Sequence, residues 1–110
     1  LLSLVPKKYD YYIFLDDDVV VESGSFKLFE QHLLDTRPAV GLPLVDDIYS
    51  TFRYNSKLVC HTAISFDQIV QAFRCDVIND ARILPYETCY DHLSWWYSCE
   101  IHQLSVLSYY

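Results

Sequence analysis

Hydrophobic residues in the first half of the chain occur in short runs that predict strands alternating with helices. Tyr11–Leu15 is an apolar run with the aromatic and β-branched content of a buried strand, and residues 19–21 would continue it beyond a kink. Ser25 is a suitable cap for a helix over residues 26–34, which an Arg-Pro pair ends. Residues 39–45 contain a glycine and a proline and predict a short edge or bulged strand.

The second half of the chain continues this alternation. Residues 46–55 have no clean period and predict a loop, whereas residues 57–65 alternate as in a strand. A helix over residues 67–77, capped by Ser65 or Asp67, is predicted by apolar residues at helical spacing, namely Phe66, Ile69, Val70, Phe73 and Val77. Residues 82–84 predict a short strand, and Asp91 or Ser94 would cap the last helix. The whole pattern is typical of an α/β fold with a layered sheet and helices.

Three consecutive carboxylates, Asp16, Asp17 and Asp18, follow the first predicted strand. Like charges in a low-dielectric setting repel one another and lose hydration, so a bound cation would be the simplest compensation. In extended backbone, positions i and i+2 face the same way, which would let Asp16 and Asp18 bind one metal ion while Asp17 faces elsewhere. The alternative interpretation is a strand followed by a solvated acidic turn.

Composition and charge narrow the classes of partner. The 110 residues carry a formal net charge of −7 and are 52% hydrophobic, which favours a folded domain over a disordered chain. The acidic balance argues against nucleic acid as a partner, and no apolar run approaches the roughly 20 residues of a membrane span. The chain has two glycines and neither a GxGxxG nor a P-loop sequence, which argues against both kinds of nucleotide-binding loop.

The four cysteines leave two alternatives open. They include no CxxC pair, which argues against a zinc knuckle or a thioredoxin-like redox motif. Their even number permits disulfides in a secretory lumen, and buried free thiols are the other interpretation.

A second group of candidate residues surrounds the start of the last predicted helix. Glu87, Asp91 and His92 precede it, and two tryptophans, Trp95 and Trp96, follow within one turn. Carboxylates bind sugar hydroxyls, and aromatic rings stack on the apolar faces of sugars. A carboxylate at a helix N-terminus stays ionised and able to accept a proton, which suits Asp91 for a base. The alternatives are a plain N-cap for Asp91 and core packing for at least one tryptophan.

Residues 9–22, YDYYIFLDDDVVVE, resemble the Asp-x-Asp segment of nucleotide-sugar glycosyltransferases with the GT-A fold. The resemblance implies a partial GT-A, Rossmann-like mixed sheet with flanking helices. It implies that Asp16 and Asp18 bind a divalent metal, Mn²⁺ or Mg²⁺, and that Asp17 belongs to the same cofactor-binding triplet. It also implies that the partners are a nucleotide-sugar donor and a glycan or another hydroxyl acceptor.

The downstream residues match the family's second acidic motif. By this resemblance Asp91 would be the catalytic base that deprotonates the acceptor hydroxyl. Glu87, His92, Trp95 and Trp96 would contact the substrate. No histidine of the chain matches the position of the family's third metal ligand.

The chain departs from the family in length. It does not begin with methionine, and it has no counterpart of the half-domain that precedes Asp-x-Asp in these enzymes. We therefore expect residues 1–110 to be a central fragment of one catalytic domain, whose activity belongs to the parent protein. A membrane-anchored eukaryotic parent would lie in the Golgi or another secretory lumen.

Two rival functions stay open at this point. One is a carbohydrate-binding or scaffolding module without catalysis, in which Trp95 and Trp96 would matter and the acidic triplet would tolerate change. The other is a metal-dependent phosphotransferase with an aspartate nucleophile at the strand end.

Overall fold

Six helices and strands form the part of the chain that the computed structural model describes, which is residues 8–44, 69–83 and 95–110, with only the backbone for 95–99. In chain order they are β1 (Tyr11–Leu15), α1 (Phe26–Thr36), β2 (Val40–Gly41), β3 (Val70–Arg74), α2 (Cys75–Ile78) and α3 (Trp95–Tyr109). Helices and a sheet thus occur together, in agreement with the expected α/β content.

The three strands form one sheet in the order β1-β3-β2, and both pairings are antiparallel. The register of the first pairing runs from Tyr11 opposite Arg74 to Leu15 opposite Val70. Strand β3 is hydrogen-bonded on both sides and is buried along most of its length, with Ala72 completely inaccessible to solvent. A small side chain at this central position lets both neighbouring strands and the covering residues pack closely.

The main apolar cluster joins β3, α2 and α3. Phe73, Val77 and Val106 are its buried centre, and partly buried apolar residues pack around them: Ala39, Val40, Leu42, Ile78 and Ile83. The Phe73 ring meets the Phe14 ring edge-on at a centroid distance of 6.0 Å and the His102 ring at 5.6 Å. Phe73 of β3 therefore contacts both β1 and α3.

Helix α1 begins at the predicted residue and ends at the Arg-Pro pair that was expected to stop it. Ser25 is its N-cap in extended conformation, and its carbonyl accepts hydrogen bonds from the N–H groups of Leu28 and Phe29. Arg37 ends the helix in a left-handed conformation (φ 49°, ψ 45°), and its N–H donates to the carbonyl of Leu33. The following Pro38 cannot continue a helix, which explains the stop.

Several predicted elements are confirmed. Strand β1 has the predicted bounds, and α1 begins at the predicted residue and extends two residues beyond 34. The strand predicted over residues 39–45 is present only as the two residues of β2 among those described. The last helix is also present, and its predicted caps Asp91 and Ser94 lie outside the described residues.

Three predictions were wrong. Within the helix predicted over residues 67–77, Val70–Arg74 is a strand and only the residues from Cys75 onward are helical. The strand forms because β3 lies between two strands and buries both faces, so its apolar residues do not alternate. Arg82 and Ile83 form a turn on Asp80 rather than a strand, since the Ile83 N–H donates to the Asp80 carbonyl. Residues 19–21 do not continue β1; they form no strand and are largely exposed.

Other predictions fall on residues that the structure does not describe. These are the strand over residues 57–65, the loop over 46–55, and the helix start at 67. In the described ranges no helix is both long enough and apolar enough to cross a membrane.

We expect Gly41→Ala to destabilise the fold, because a Cβ at this position would overlap the side chain of Leu33. Leu33 is itself only 3% exposed and has little room to move aside. Overpacking of this kind typically costs about 1–3 kcal/mol of unfolding free energy. Chemical denaturation measures the change.

Two further variants test the cause of this effect. In Leu33→Ala/Gly41→Ala the loss should be smaller than the sum of the single losses, since the overlap is relieved. Gly24→Ala is the control, because its Cβ would meet no atom within 4 Å and only its positive φ of 85° opposes alanine. Additive losses at positions 33 and 41 would contradict the proposed overlap.

Acidification should weaken the fold through His102. Burial lowers the pKa of His102 below its ordinary 6.5, so the unfolded chain takes up this proton first as the pH falls. Neutral, buried His102 therefore makes its full contribution to the free energy of unfolding above pH 6.5. This contribution is lost as the pH falls from 6.5 through the lower pKa of the folded state. Unfolding free energies measured between about pH 7.5 and about pH 5 should fall more steeply for the wild type than for His102→Gln. Equal slopes would show that His102 is not responsible.

Candidate acidic turn and cationic groove

The acidic triplet begins at the residue after β1, as the apolar pattern predicts. The Asp16 N–H donates to the carbonyl of Ile69 at 3.0 Å, which ties the end of β1 to the residue before β3. The Asp16 carbonyl then accepts a hydrogen bond from the Val19 N–H at 3.4 Å, which closes a four-residue turn. Asp17 and Asp18 are the two central residues of this turn.

This geometry corrects two premises of the sequence interpretation. The backbone at the triplet is a turn and not extended, so the i, i+2 rule does not place Asp16 and Asp18 on one face. All three aspartates are also exposed, so water already solvates their charges and no buried counterion is needed. The triplet is thus an exposed acidic turn and not the end of an extended strand.

The chemistry of the triplet still suits a hard cation. Carboxylate oxygens are the ligands that Mg²⁺ and related ions prefer. Within the described residues none of the three side chains has a hydrogen bond or ion pair, so they are free to coordinate. No group of three or more His, Cys, Asp or Glu side chains in those residues is arranged to hold a metal ion. An ion would therefore need additional ligands from another source.

Exposed apolar residues flank the acidic turn along the chain. Phe14 and Leu15 at the end of β1 are 43% and 53% exposed, and Val20 beyond the turn is 79% exposed. The exposed carboxylates therefore have exposed apolar residues on either side of them along the chain.

The remaining sequence candidates cannot be placed relative to this turn. Glu87, Asp91 and His92 lie outside the described residues. Trp95 and Trp96 are the first two residues of α3, for which the structure describes only the backbone.

Sequence reasoning missed a second feature, an open groove of about 740 Å³ at the other end of β1. Its lining comes from the segment before β1, the C-terminus of α1 and the junction of β3 with α2, and includes Lys8, Tyr9, Asp10, Arg37, Arg74 and Asp76. No local motif marks it, because these residues are brought together only when β1 pairs with β3. We call it the cationic groove.

Ion pairs hold both arginines of the cationic groove. The Arg74 guanidinium donates to both carboxylate oxygens of Asp76 and also to the carbonyl of Arg37, the last at 2.7 Å. Arg37 donates from one guanidinium nitrogen to Asp10 at 3.1 Å. The hydrogen bond from Arg74 lowers the pKa of Asp76 and raises that of Arg74, so both groups stay charged across the ordinary pH range.

Two further hydrogen bonds tie together the chain segments that contribute to the groove. The Cys75 N–H donates to the Asp10 carbonyl at 2.9 Å, and the Tyr11 hydroxyl donates to the Pro38 carbonyl. Burial raises the pKa of Tyr11, so its hydroxyl remains protonated as a donor. Cys75 is a free thiol. The two alternatives, disulfides and buried free thiols, therefore apply only to Cys60, Cys89 and Cys99.

A related ion pair lies outside the groove. Arg82 donates to both carboxylate oxygens of Asp80, and the Tyr110 hydroxyl donates to the same carboxylate at 2.8 Å. These hydrogen bonds hold the pKa of Asp80 well below its usual range. The pair has the same chemistry as Arg74–Asp76 and offers a matched comparison for it.

Comparison with models of protein families, with curated proteins and with solved structures found no match to the chain.

Neutralising the triplet should leave the fold intact or slightly more stable. In Asp16→Asn/Asp17→Asn/Asp18→Asn three adjacent like charges are lost without loss of a side-chain contact among the described residues. We expect a gain of up to about 1 kcal/mol in low salt, which shrinks at high ionic strength as screening removes the repulsion.

The measurement is chemical denaturation in metal-free buffer, and Glu22→Gln is the control with one exposed charge removed. A loss of more than about 1 kcal/mol in the triple variant would contradict an acidic turn free of structural contacts.

Proposed function

We propose that the chain is part of a metal-dependent glycosyltransferase that transfers a sugar from a nucleotide-sugar donor to an acceptor hydroxyl. The observation that supports this function best is the acidic turn. A strand of the sheet leads directly into three exposed carboxylates whose backbone is anchored and whose side chains are unengaged within the described residues. Such a site can bind a cation without first breaking contacts of its own.

The proposal predicts that the affinity of the site for metal depends on the nucleotide. Mg²⁺ in enzymes commonly takes one or two protein carboxylates and completes its coordination with substrate phosphates. Asp16 and Asp18 would supply the carboxylates, with Asp17 beside them, and the diphosphate of the donor would supply the remaining oxygens. Metal and nucleotide should therefore bind together more tightly than either binds alone.

The metal, when bound, would stabilise negative charge on the departing diphosphate. Asp91 is proposed as the base for the acceptor hydroxyl, and the substrate contacts would come from Glu87, His92, Trp95 and Trp96. A partial GT-A sheet also belongs to this proposal. A GT-A sheet contains both parallel and antiparallel strands. The proposal therefore requires parallel strands in addition to the three antiparallel strands of the described residues.

The direct test is a titration of the chain with Mn²⁺ in the presence and absence of UDP or GDP, followed by the electron paramagnetic resonance of free Mn²⁺. We expect Mn²⁺ binding to strengthen when one of the nucleotides is present. Asp16→Asn and Asp18→Asn should each weaken this binding by about tenfold or more, equivalent to at least about 1.4 kcal/mol.

Asp35→Asn is the control, because Asp35 is an exposed aspartate of α1 whose carboxylate accepts a hydrogen bond from the Gln31 side chain. Its substitution should leave Mn²⁺ binding unchanged. Nucleotide-independent Mn²⁺ binding, or equal effects in all three variants, would contradict the proposal. Sugar binding without metal would instead favour a carbohydrate-binding module, and a phosphoryl group on an aspartate would favour a phosphotransferase.

A further inference from the structure

We propose that the cationic groove is a second ligand site, which binds a small anion through a phosphate or carboxylate group. Its volume of about 740 Å³ falls within the range of roughly 300–1,000 Å³ found for small-molecule sites. It opens between three separate segments of the chain, and a ligand there would contact residues from all of them.

The groove has a local excess of positive charge on an acidic protein. Lys8, Arg37 and Arg74 line it against the two carboxylates Asp10 and Asp76. Three of the eight lysines and arginines of the chain are therefore gathered here, although the formal net charge is −7. Three positive and two negative side chains leave the groove with a formal charge of +1 (3 − 2), and a concave surface lined by an excess of one sign of charge attracts ligands of the opposite sign.

Lys8 supplies a cation without an acidic partner. Its Nζ lies 5.3 Å from the centroid of the Tyr9 ring, and it forms no ion pair with a carboxylate of the described residues. The Tyr9 ring is itself positioned by an edge-on contact with Tyr12 at 5.9 Å. An anion with a flat or apolar part would thus meet an ammonium group beside an aromatic surface.

Arg37 supports the same interpretation through its backbone. It adopts a left-handed conformation with φ 49°, which glycine or asparagine adopts at lower cost, and it precedes a proline. Only one of its guanidinium nitrogens has a partner among the described residues, the contact with Asp10. Glycine or asparagine would suit this backbone conformation better but would supply no guanidinium group. Arginine at this position instead places N–H donors at the groove that have no partner among the described residues.

Arg74 is pre-organised for the same role. Its guanidinium is fixed by Asp76 and by the Arg37 carbonyl, so little conformational entropy would be lost on binding. A metal cation is disfavoured in the groove, because both of its carboxylates are already paired with arginines.

The groove is distinct from the acidic turn. Asp10 and Asp16 are at opposite ends of β1, six positions apart, which corresponds to about 20 Å in an extended strand. This inference therefore does not depend on the proposed glycosyltransferase function.

The test is a titration with inorganic phosphate, and separately with acetate, at constant ionic strength and without divalent metal. It is followed by the backbone amide resonances of the intact chain. We expect saturable shifts at Asp10, Arg37 and Cys75, with little change at Asp17 and Asp18. The probe that saturates at the lower concentration identifies phosphate or carboxylate as the preferred group.

Three variants make the test specific. Lys8→Gln and Arg37→Asn should each weaken binding by about tenfold, the effect of losing one charge-assisted hydrogen bond. Asparagine at position 37 keeps a residue that tolerates the left-handed backbone, so the fold should survive. Arg82→Gln, which removes an arginine with an aspartate partner outside the groove, should leave binding unchanged. Shifts that do not saturate, or equal weakening in all three variants, would overturn the proposal.

Discussion

The antiparallel pairing of β1 with β3 is the constraint on which the other described features depend. β3 is the central strand, buried on both faces and hydrogen-bonded on both sides, so it has one favourable arrangement. Its register brings Leu15 opposite Val70 and Tyr11 opposite Arg74. The same pairing orders Phe73 between Phe14 and His102, and so connects the sheet with α3. A slip by one residue would turn Phe73 out of the core.

This pairing also separates two charged regions. At one end of β1 the chain turns through Asp16, Asp17 and Asp18, whose carboxylates point to solvent. At the other end the C-termini of β3 and α1 gather arginines beside Asp10. Opposite charge at opposite ends of one strand gives the surface a strong asymmetry, which favours cations at one end and anions at the other. The acidic end supports the proposed metal site, and the cationic end supports the proposed anion site.

The sequence predicted elements well where the information is local. The apolar run of β1 and the caps and stop of α1 depend on neighbouring residues, and they were found with nearly correct bounds. β3 failed because Val70, Phe73 and Val77 happen to have helical spacing, whereas its conformation is imposed by two partner strands distant in the chain. The acidic turn was located correctly but expected to be extended and in need of a counterion, since exposure depends on packing. The cationic groove had no signal, because Lys8, Arg37 and Arg74 become neighbours only in the folded sheet.

The register of β1 on β3 is the central claim, and cross-strand nuclear Overhauser effects measure it most directly. The account predicts contacts between the backbone protons of Ile13 and Ala72, together with contacts between Leu15 and Val70 and between Tyr11 and Arg74. These contacts would fix the acidic turn and the cationic groove at opposite ends of one strand. Contacts displaced by one or two residues, or a parallel pattern between the two strands, would contradict the account.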